Sequence, residues 1–372
     1  MEGEDMIRVG LVGCGAAGMS HLKAMRATRG MRVAAVCDLN ERFATRAAAE
    51  AGCAHYLDAE TMMRTAKLDA VAIIATASAH YRLAALAARH DLHVLIEKPL
   101  TVDPSEGARL VRLFEKRTLI LAVTFTYRYV DITRRMKRLI DEGEIGDVLE
   151  LRHVGWVGLP RRYEAGTDQR VKYDELYSKE IRGILFDCGV HTMDLFRWLS
   201  GQEYVRFVGM GARHKGYEYP DSGTVLCEMT GGVRCVYDHG PLPYYLGGVD
   251  GIGLCMMVAA GTAGSLVWKI IDKRENGRFL SEFQVNTAKG TRVKSVPLFS
   301  KCRDKQHAEF VRCVRAGRLV GSFPDPHDAN EATRAAREAV DAVIRHQVGG
   351  RVRGAARRGR SGSRARRARR AV

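Results

Sequence analysis

Three short groups of residues carry the side chains best suited to chemistry. They are the glycine-rich Gly13-Cys14-Gly15-Ala16-Ala17-Gly18, the charged Glu97-Lys98-Pro99, and the pair Asp187 and His191, four residues apart. Closely spaced glycines let backbone approach a phosphate, and an ammonium group can hold and polarise a reacting oxygen. A carboxylate one helical turn from an imidazole raises the basicity of that imidazole, which suits a general base. The three groups predict a phosphate-bearing ligand bound next to a site of proton transfer.

The glycine loop has the spacing of a dinucleotide-binding turn. Its first glycine permits a tight turn, its second lets the backbone approach a pyrophosphate, and its third lets helix and strand pack closely. The N–H groups at the start of the following helix would then meet the phosphates. The residues predicted to hold the cofactor here are Gly13, Gly15, Ala16, Ala17 and Gly18. A purely structural turn is the alternative interpretation.

Asp38 follows the second predicted strand, about twenty residues past Gly18, at the distance expected of a carboxylate that binds the adenosine ribose. The negative charge of Asp38 would repel the 2′-phosphate of NADP, so this residue favours NAD as the cofactor. Arg42 lies close by in the sequence. It keeps NADP open as a second cofactor, because a cation could accommodate that phosphate.

Lys98 and the segment from Asp187 to Asp194 each allow a second interpretation. A lysine that follows a strand is most often simply solvated. Asp194 lies three residues after His191, so both carboxylates would share one helix face with the imidazole. Such a face can equally be a satisfied histidine–aspartate contact in a partly buried helix. Taken alone, neither group establishes catalysis.

The elements predicted around these residues place them at one edge of a sheet. From Met6 to Val123, short β-branched runs alternate with stretches of helical period. The predicted strands are Ile7–Val12, Arg32–Cys37, Asp69–Ala75, His93–Ile96 and Leu119–Val123, with helices over Ala17–Thr28, up to Ala51, over His80–His90 and over Pro104–Lys116. This alternation implies a doubly wound parallel sheet. Ligands bind at the carboxyl ends of such strands, so Lys98 should face the crevice of the glycine loop.

The second half of the chain has a different texture. After a helix around residues 132–142, runs of alternating polarity begin at Asp147 and recur near Val205, Val225, Val236, Met257 and Phe283. Few helices separate them, which predicts an α+β domain with an open, mostly antiparallel sheet. One helix is expected over Phe186–Leu199, and two closing helices over Lys305–Ala316 and Ala329–His346. We expect a Rossmann domain at residues 1–126, an α+β domain at 127–350 and a disordered tail at 351–372.

The net charge of +16 does not indicate a nucleic-acid-binding fold. Ten arginines and no acids lie in the tail at 351–372, so the other residues carry only +6. This tail could bind phosphate backbones non-specifically, or be a peripheral extension. The nine cysteines are scattered without ligand spacing, which predicts a reducing compartment and no metal site. No apolar stretch is long enough to cross a membrane, and the acidic start is unlike a secretory signal, so a cytoplasmic protein is expected.

These motifs, in this order, resemble the Gfo/Idh/MocA family of NAD(P)-dependent oxidoreductases over residues 6 to 348. The resemblance includes the segment Ala75–His80, the Glu97-Lys98-Pro99 signature, the strand end Val123–Tyr129, the junction Glu142–Gly146 and the helix from Asp187 to Asp194. It implies that Lys98, Asp187 and His191 are catalytic, with His191 taking the substrate proton. It also implies that Thr76, His80, Glu97 and Lys98 help to seat the cofactor. The domain at 127–350 is implied to bind substrate and to form the contacts of a homodimer or homotetramer.

The substrate is expected to be a sugar, a cyclitol or a derivative with a ring hydroxyl or ketone. The residues predicted to bind it are Arg128, Tyr163, Arg182, Asp187 and His191. Arg128, Tyr163 and Arg182 could give the pocket a polar and cationic character suited to phosphate, carboxylate or nucleotide-linked sugars. Two alternatives remain open at this point. One is a hydrolase or lyase that retains NAD and oxidises the sugar transiently, and the other is a non-catalytic nucleotide sensor.

Overall fold

The computed structural model describes residues 6–158, 178–179, 181–213, 218–242, 254–275, 278–297 and 301–349. Within these ranges the chain forms two β-sheets, one of six strands and one of eight. None of the helices in the same ranges is long and apolar enough to cross a membrane. Tyr163 and the arginine-rich tail at 351–372 lie outside the described residues.

The first sheet is a doubly wound parallel sheet, which confirms the predicted fold class. Its strands are β1 (Ile7–Val12), β2 (Met31–Cys37), β3 (Ala54–Tyr56), β4 (Ala70–Ile73), β5 (His93–Glu97) and β6 (Leu121–Thr124). The helices between them are α1 (Ala16–Ala27), α2 (Glu41–Ala51), α3 (Ala59–Thr65), α4 (His80–Arg89) and α5 (Pro104–Arg117). The spatial order is β3-β2-β1-β4-β5-β6. The order reverses between β1 and β4, and a crevice for ligands forms at such a switch point.

Local chemistry explains most of these boundaries. The central strand β4 is wholly buried, as expected for an apolar strand covered on both faces. Asn40 caps α2 by accepting from the N–H groups of Arg42 and Phe43, and Asp103 caps α5, whose first residue is Pro104. Two short elements were not predicted. Strand β3 has only three residues and helix α3 only seven, too few to show a period.

The second sheet is mostly antiparallel, as expected. It consists of β7 (Val148–Gly158), β8 (Tyr204–Ala212), β9 (Ser222–Met229), β10 (Arg234–Leu242), β11 (Leu254–Gly261), β12 (Gly264–Glu275), β13 (Arg278–Thr287) and β14 (Gly290–Pro297). The order is β14-β13-β12-β11-β7-β10-β9-β8, and only β7 and β10 pair in parallel. Strands β12 and β14 were not predicted. The turn from β11 to β12 leaves only Thr262 and Ala263 between the strands, so no clear break separates the two runs.

Four helices join the two sheets. They are α6 (Asp131–Asp141), α7 (Ile184–Ser200), α8 (Cys302–Ala316) and α9 (Pro326–Gly349). Helix α7 packs on one face of the second sheet, and α9 packs against α7, β8 and α5. Helix α8 packs on α1 of the first sheet. The carboxyl edge of the first sheet and the helix-covered face of the second sheet are thereby brought together.

Candidate active site

A cavity of about 570 Å³ lies at the carboxyl edge of the first sheet. The loops after β1, β2, β4 and β5 line it, and Asp187 of α7 closes one end. Among the residues predicted to hold the cofactor, those that line the cavity are Gly13, Gly15, Ala16, Ala17, Gly18, Asp38, Thr76, Glu97 and Lys98. The structure therefore gathers residues separated by up to 174 positions around one space.

The three glycines of the loop have separate roles. Gly13 has a φ of +94°, and a Cβ there would overlap the carbonyl oxygen of Ile74. A Cβ on Gly18 would overlap the carbonyl oxygen of Gly13, so both of these glycines are required for packing. A Cβ on Gly15 would have no atom within 4 Å, because Gly15 faces the open cavity. Helix α1 begins directly after it without a side-chain cap. Its N–H groups are therefore available to an anion, and the loop fits a pyrophosphate.

Asp38 is fixed at the end of β2. Its Oδ2 accepts from the N–H of Cys14 at 2.7 Å, and its Oδ1 accepts from the N–H of Asn40 at 2.8 Å. The carboxylate is thus held against the cavity, next to the glycine loop. Leu39 follows it with 89% of its surface exposed and also lines the cavity. An acid beside an exposed apolar surface suits the ribose and the flat base of an adenosine.

Arg42 and Arg82 are two cations that bear on the choice between NAD and NADP. Arg42, which kept NADP open in the sequence, is not among the residues that line the cavity. Arg82 of α4 does line it, and sequence reasoning did not find this residue. Arg82 is the third residue of α4, three residues beyond the short turn after β4, and belongs to no motif.

His80 lies behind the cavity wall and not on it. Its side chain is 1% exposed, with Nδ1 2.7 Å from the carbonyl oxygen of Pro99 and Nε2 3.2 Å from that of Ala75. The imidazole therefore ties the loop after β4 to the loop after β5. Thr76, which follows Ala75 in the loop after β4, does line the cavity. His80 was predicted to touch the cofactor, and the structure gives it a positioning role.

Lys98 and Asp187 form the polar end of the cavity. Lys98 Nζ donates to Asp187 Oδ1 at 2.6 Å and to the carbonyl oxygen of the same residue at 2.9 Å. Burial disfavours the ammonium, but the Asp187 carboxylate outweighs it and raises the pKa of Lys98 above its usual value. Burial likewise opposes ionisation of Asp187, and the Lys98 charge lowers its pKa nevertheless. The two side chains form a charged pair that links the two sheets.

His191 lies one turn along α7 from Asp187, but the structure shows no bond between them. The predicted Asp187–His191 pair is wrong, because the cationic Lys98 attracts the carboxylate more strongly than a neutral imidazole does. The ring of His191 lies 4.9 Å from that of Tyr127 and 6.0 Å from that of Phe125. Its Nδ1 has no hydrogen-bond partner among the described residues. Burial, aided by the Lys98 charge, lowers the pKa of His191 to about 3, so the imidazole is neutral.

The arginines predicted to bind substrate are engaged elsewhere. Arg128 is 5% exposed and forms a two-pronged ion pair with Asp194, at 2.8 and 2.7 Å. Its guanidinium also lies over the ring of Trp198. Arg182 donates to Asp341 of α9 at 2.6 Å. Neither arginine lines the cavity, so the structure does not place them where they were predicted to bind substrate. The sequence did not reveal the two ion pairs, because the acids lie 66 and 159 positions away. Tyr163, the third predicted residue, is outside the described part of the chain.

Three buried rings of the second sheet face α7 and were missed from the sequence. Tyr237 stacks on His153 at 6.2 Å and on His239 at 5.8 Å. His153 Nδ1 lies 2.7 Å from the hydroxyl of Thr192, whereas neither ring nitrogen of His239 has a partner in the described ranges. The signal was a histidine at one inward position of each of the two alternating strands β7 and β10, where apolar residues are the rule.

No group of three or more histidine, cysteine or acidic side chains in the described ranges could hold a metal ion. The fixed polar groups of the cavity instead fit a dinucleotide. The glycine loop supplies an open cradle with available N–H groups, and Asp38 stands where a ribose would lie. Glu97 and Lys98 form the opposite end.

Comparison with known proteins identifies the class. Residues 7–125 match the model described as the oxidoreductase family, NAD-binding Rossmann fold, and residues 133–244 match the C-terminal domain of the same GFO/IDH/MocA family. The chain therefore belongs to the Gfo/Idh/MocA family, and its first domain is an NAD-binding domain. The predicted family and its NAD-binding Rossmann domain are confirmed.

Two sequence relatives are similar over part of their length. Inositol 2-dehydrogenase 2 of Saccharopolyspora erythraea is 32% identical over 58% of this chain and 60% of its own. UDP-N-acetylglucosamine 3-dehydrogenase of Acidithiobacillus ferrooxidans is 31% identical over 55% of this chain and 59% of its own. The chain thus spans about three fifths of these curated relatives.

Solved structures share the fold over nearly the whole chain. An oxidoreductase from Agrobacterium radiobacter in complex with NAD+, L-tartaric acid and magnesium has a TM-score of 0.77 and 19% identity, covering 91% of this chain and 97% of that one. Scyllo-inositol dehydrogenase from Lactobacillus casei, with bound NAD(H) and scyllo-inositol, has a TM-score of 0.72 and 20% identity, with coverage of 92% and 98%.

Proposed function

We propose that this protein is an NAD-dependent dehydrogenase or reductase acting on a ring hydroxyl or ketone of a cyclitol or an uncharged sugar derivative. The position of the Lys98–Asp187 pair supports this proposal. The Lys98 ammonium is held by Asp187 at the end of a cavity whose other residues form a dinucleotide cradle. A neutral imidazole, His191, lies one helical turn away from that pair.

Lys98 supplies a fixed positive charge for the reacting oxygen. Its ammonium has three N–H donors, and Asp187 is the acceptor for two of the contacts described above. One donor is left to hold a substrate hydroxyl or carbonyl oxygen. Because the pKa of Lys98 is raised, the charge persists throughout the neutral range. A positioned cation stabilises negative charge that develops on that oxygen as the carbon–hydrogen bond breaks.

His191 supplies the base. Oxidation of a carbinol releases the hydroxyl proton, and an imidazole can accept it only in its neutral form. Burial keeps the pKa of His191 near 3, so the ring is in the accepting form at neutral pH. Contacts with Tyr127 and Phe125 hold the orientation of the ring. Bound NAD, held by the glycine loop and Asp38, would supply the acceptor for the hydride that leaves the substrate carbon.

The charges around the site favour a substrate without phosphate or carboxylate. Arg128 and Arg182 are both held in ion pairs, with Asp194 and Asp341, and these acids offset the positive charge that an anionic group would need. The rings that face α7 are neutral, because burial lowers the pKa of His153 to about 4 and that of His239 to about 3. Neutral donors and acceptors suit hydroxyl groups. Relatives named as inositol dehydrogenases point the same way.

A homo-oligomer is part of the proposal. Strands β8 and β9 expose several large apolar side chains on the face of the second sheet opposite α7. They are Val205, Val208, Met210 and Leu226, each more than half exposed. Contiguous apolar surface of this kind marks a protein contact. Light scattering after size-exclusion chromatography should give a multiple of 41.2 kDa, and Met210→Lys should lower that mass.

A substrate panel tests the proposed activity. Purified protein with NAD is mixed with inositols, aldoses, amino sugars and nucleotide sugars, and NADH absorbance is recorded. We expect stoichiometric NADH from an uncharged polyol. Product formed without NADH release would support the NAD-retaining alternative instead. NAD binding with no turnover of any compound would favour a nucleotide sensor.

A further inference from the structure

A buried chain of hydrogen bonds runs from α8 to the cavity wall behind Lys98. His307 Nε2 lies 3.1 Å from His21 Nδ1, and His21 Nε2 lies 2.9 Å from Glu97 Oε1. Both imidazoles are fully buried, and the two rings meet edge to face. His307 is separated from His21 by 286 positions, so the closing helix of the chain reaches the back of the cofactor cavity.

The direction of these hydrogen bonds follows from counting protons. A neutral imidazole has one donor nitrogen and one acceptor nitrogen. Burial, together with His21 and the Arg303 charge, holds the pKa of His307 well below its usual value, so His307 carries a single proton. Its Nδ1 has no hydrogen-bond partner among the described residues, whereas its Nε2 faces His21. The proton therefore belongs on Nε2, where it is donated to His21.

This donation selects the tautomer of His21. With Nδ1 of His21 occupied as an acceptor, the proton of His21 sits on Nε2 and is donated to Glu97 Oε1. The other carboxylate oxygen, Oε2, accepts from the N–H of Lys98 at 3.0 Å. Both oxygens of Glu97 are thereby held by N–H donors, which fix the orientation of the carboxylate. Outer hydrogen-bond partners orient the ligating side chains of metal sites in the same way.

The result is an ionised carboxylate at the cavity. Burial opposes the charge on Glu97, but the hydrogen bond from His21 and the charge of Lys98 outweigh it and lower its pKa to about 2. Beside it stand the Lys98 cation, the Asp187 anion and the neutral His191. These four groups together carry one net negative charge.

We propose that His307 is a positioning residue which, through the tautomer of His21, holds ionised Glu97 against the cavity so that the site binds the oxidised, cationic nicotinamide more tightly than the reduced, neutral one. The inference rests on the proposed function, which places the nicotinamide beside Lys98. Reduction of the ring removes one positive charge. A site with one uncompensated negative charge therefore favours the oxidised form.

Equilibrium binding tests this without turnover. Dissociation constants for NAD+ and NADH are measured by fluorescence titration for the wild type, His307→Leu and His307→Gln. Leucine removes both nitrogens, and we expect Kd for NAD+ to rise about tenfold while Kd for NADH changes less than about twofold. The glutamine amide can donate to His21 Nδ1 and should restore the ratio to within about threefold of the wild type. His327→Leu, at an exposed histidine of α9, is the matched control and should leave the ratio unchanged.

Glu97→Gln separates the possible failures, and it removes the charge without changing the size of the side chain. If Glu97→Gln shifts the ratio and His307→Leu does not, the role of His307 is overturned while the placement of the nicotinamide stands. If neither variant shifts it, the placement itself is wrong. In the Glu97→Gln background, His307→Leu should add no further shift, and an additive shift would contradict a path through Glu97. If His307→Leu loses stability, Glu97→Gln alone still tests whether the charge of this carboxylate sets the ratio, and an unchanged ratio would overturn the proposal.

Discussion

The polar groups of the cofactor cavity and those of the sheet face under α7 differ in how fully they are hydrogen-bonded. At the cofactor cavity, the carboxylates of Asp38 and Glu97 each have both oxygens bonded by N–H donors. On the face of the second sheet that α7 covers, His191 keeps one bare nitrogen and His239 keeps two, counting partners in the described ranges. Buried polar groups are normally paired, so the unpaired ones are the places that a ligand can satisfy. The first half is built for a ligand of fixed chemistry, and the second for one that brings its own hydroxyl groups.

The largest effect on activity should come from His191, whose Nδ1 has no partner among the described residues. His191→Gln retains a polar side chain but removes the base, so we expect kcat to fall by about 10³-fold. Kd for NAD should stay within about threefold, because His191 is not among the residues that line the cofactor cavity. His346→Gln, at an exposed position of α9, is the control. A His191→Gln enzyme with near wild-type kcat would remove the distinction between the halves.

The role of Arg128, which forms an ion pair with Asp194, can be tested through protein stability. Arg128→Met leaves the carboxylate of Asp194 buried without its partner, which should lower the free energy of unfolding by about 3–5 kcal/mol in urea titrations. The exposed pair of Arg138 and Glu142 provides the control, and Arg138→Met should cost less than about 1 kcal/mol. If Arg128→Met instead raises KM and leaves stability unchanged, Arg128 binds substrate after all.

The glycine loop offers a matched pair of variants within the cofactor half. Gly15→Ala places a methyl group in open cavity space, so the protein should keep its melting temperature while Kd for NAD rises about tenfold. Gly18→Ala forces a Cβ into the carbonyl of Gly13, and should lower stability by about 1–3 kcal/mol. Calorimetry and NAD titration together distinguish the two. Equal behaviour of the variants would show that Gly15 does not face the ligand.

Acid should weaken the substrate half in particular. Burial lowers the pKa of His153 to about 4 and the pKa values of His191 and His239 to about 3, against about 6.5 in the unfolded chain. As pH falls below 6.5, the unfolded chain takes up protons that the folded one does not, so stability falls until the folded histidines titrate. Each contributes about 1.4 kcal/mol per pH unit. His239→Phe should flatten the slope between pH 6 and 4.5 by that amount, and an unchanged slope would contradict a buried neutral His239.

The same division governs how much the sequence could predict. The glycine loop, Asp38 and Lys98 were found because each belongs to a local pattern in which strand, turn and helix agree. Arg128 and Arg182 were misassigned because their partners, Asp194 and Asp341, lie 66 and 159 positions away. His307 was missed for the same reason, since no local pattern links it to His21. Contacts of this range depend on packing, which the residue pattern does not contain.

We propose that Lys98 acts on the substrate oxygen, while the glycine loop and Asp38 hold the dinucleotide. Lys98→Met keeps the length of the side chain and removes its charge, and Lys116→Met at an exposed position of α5 is the control. With the best polyol from the substrate panel, NADH formation and Kd for NADH are measured on the same preparations, because the neutral reduced ring responds least to the charge of the site. Lys98→Met should lower kcat by about 10³-fold and keep Kd for NADH within about threefold. A Lys98→Met enzyme that turns over within about tenfold of the wild type would contradict it.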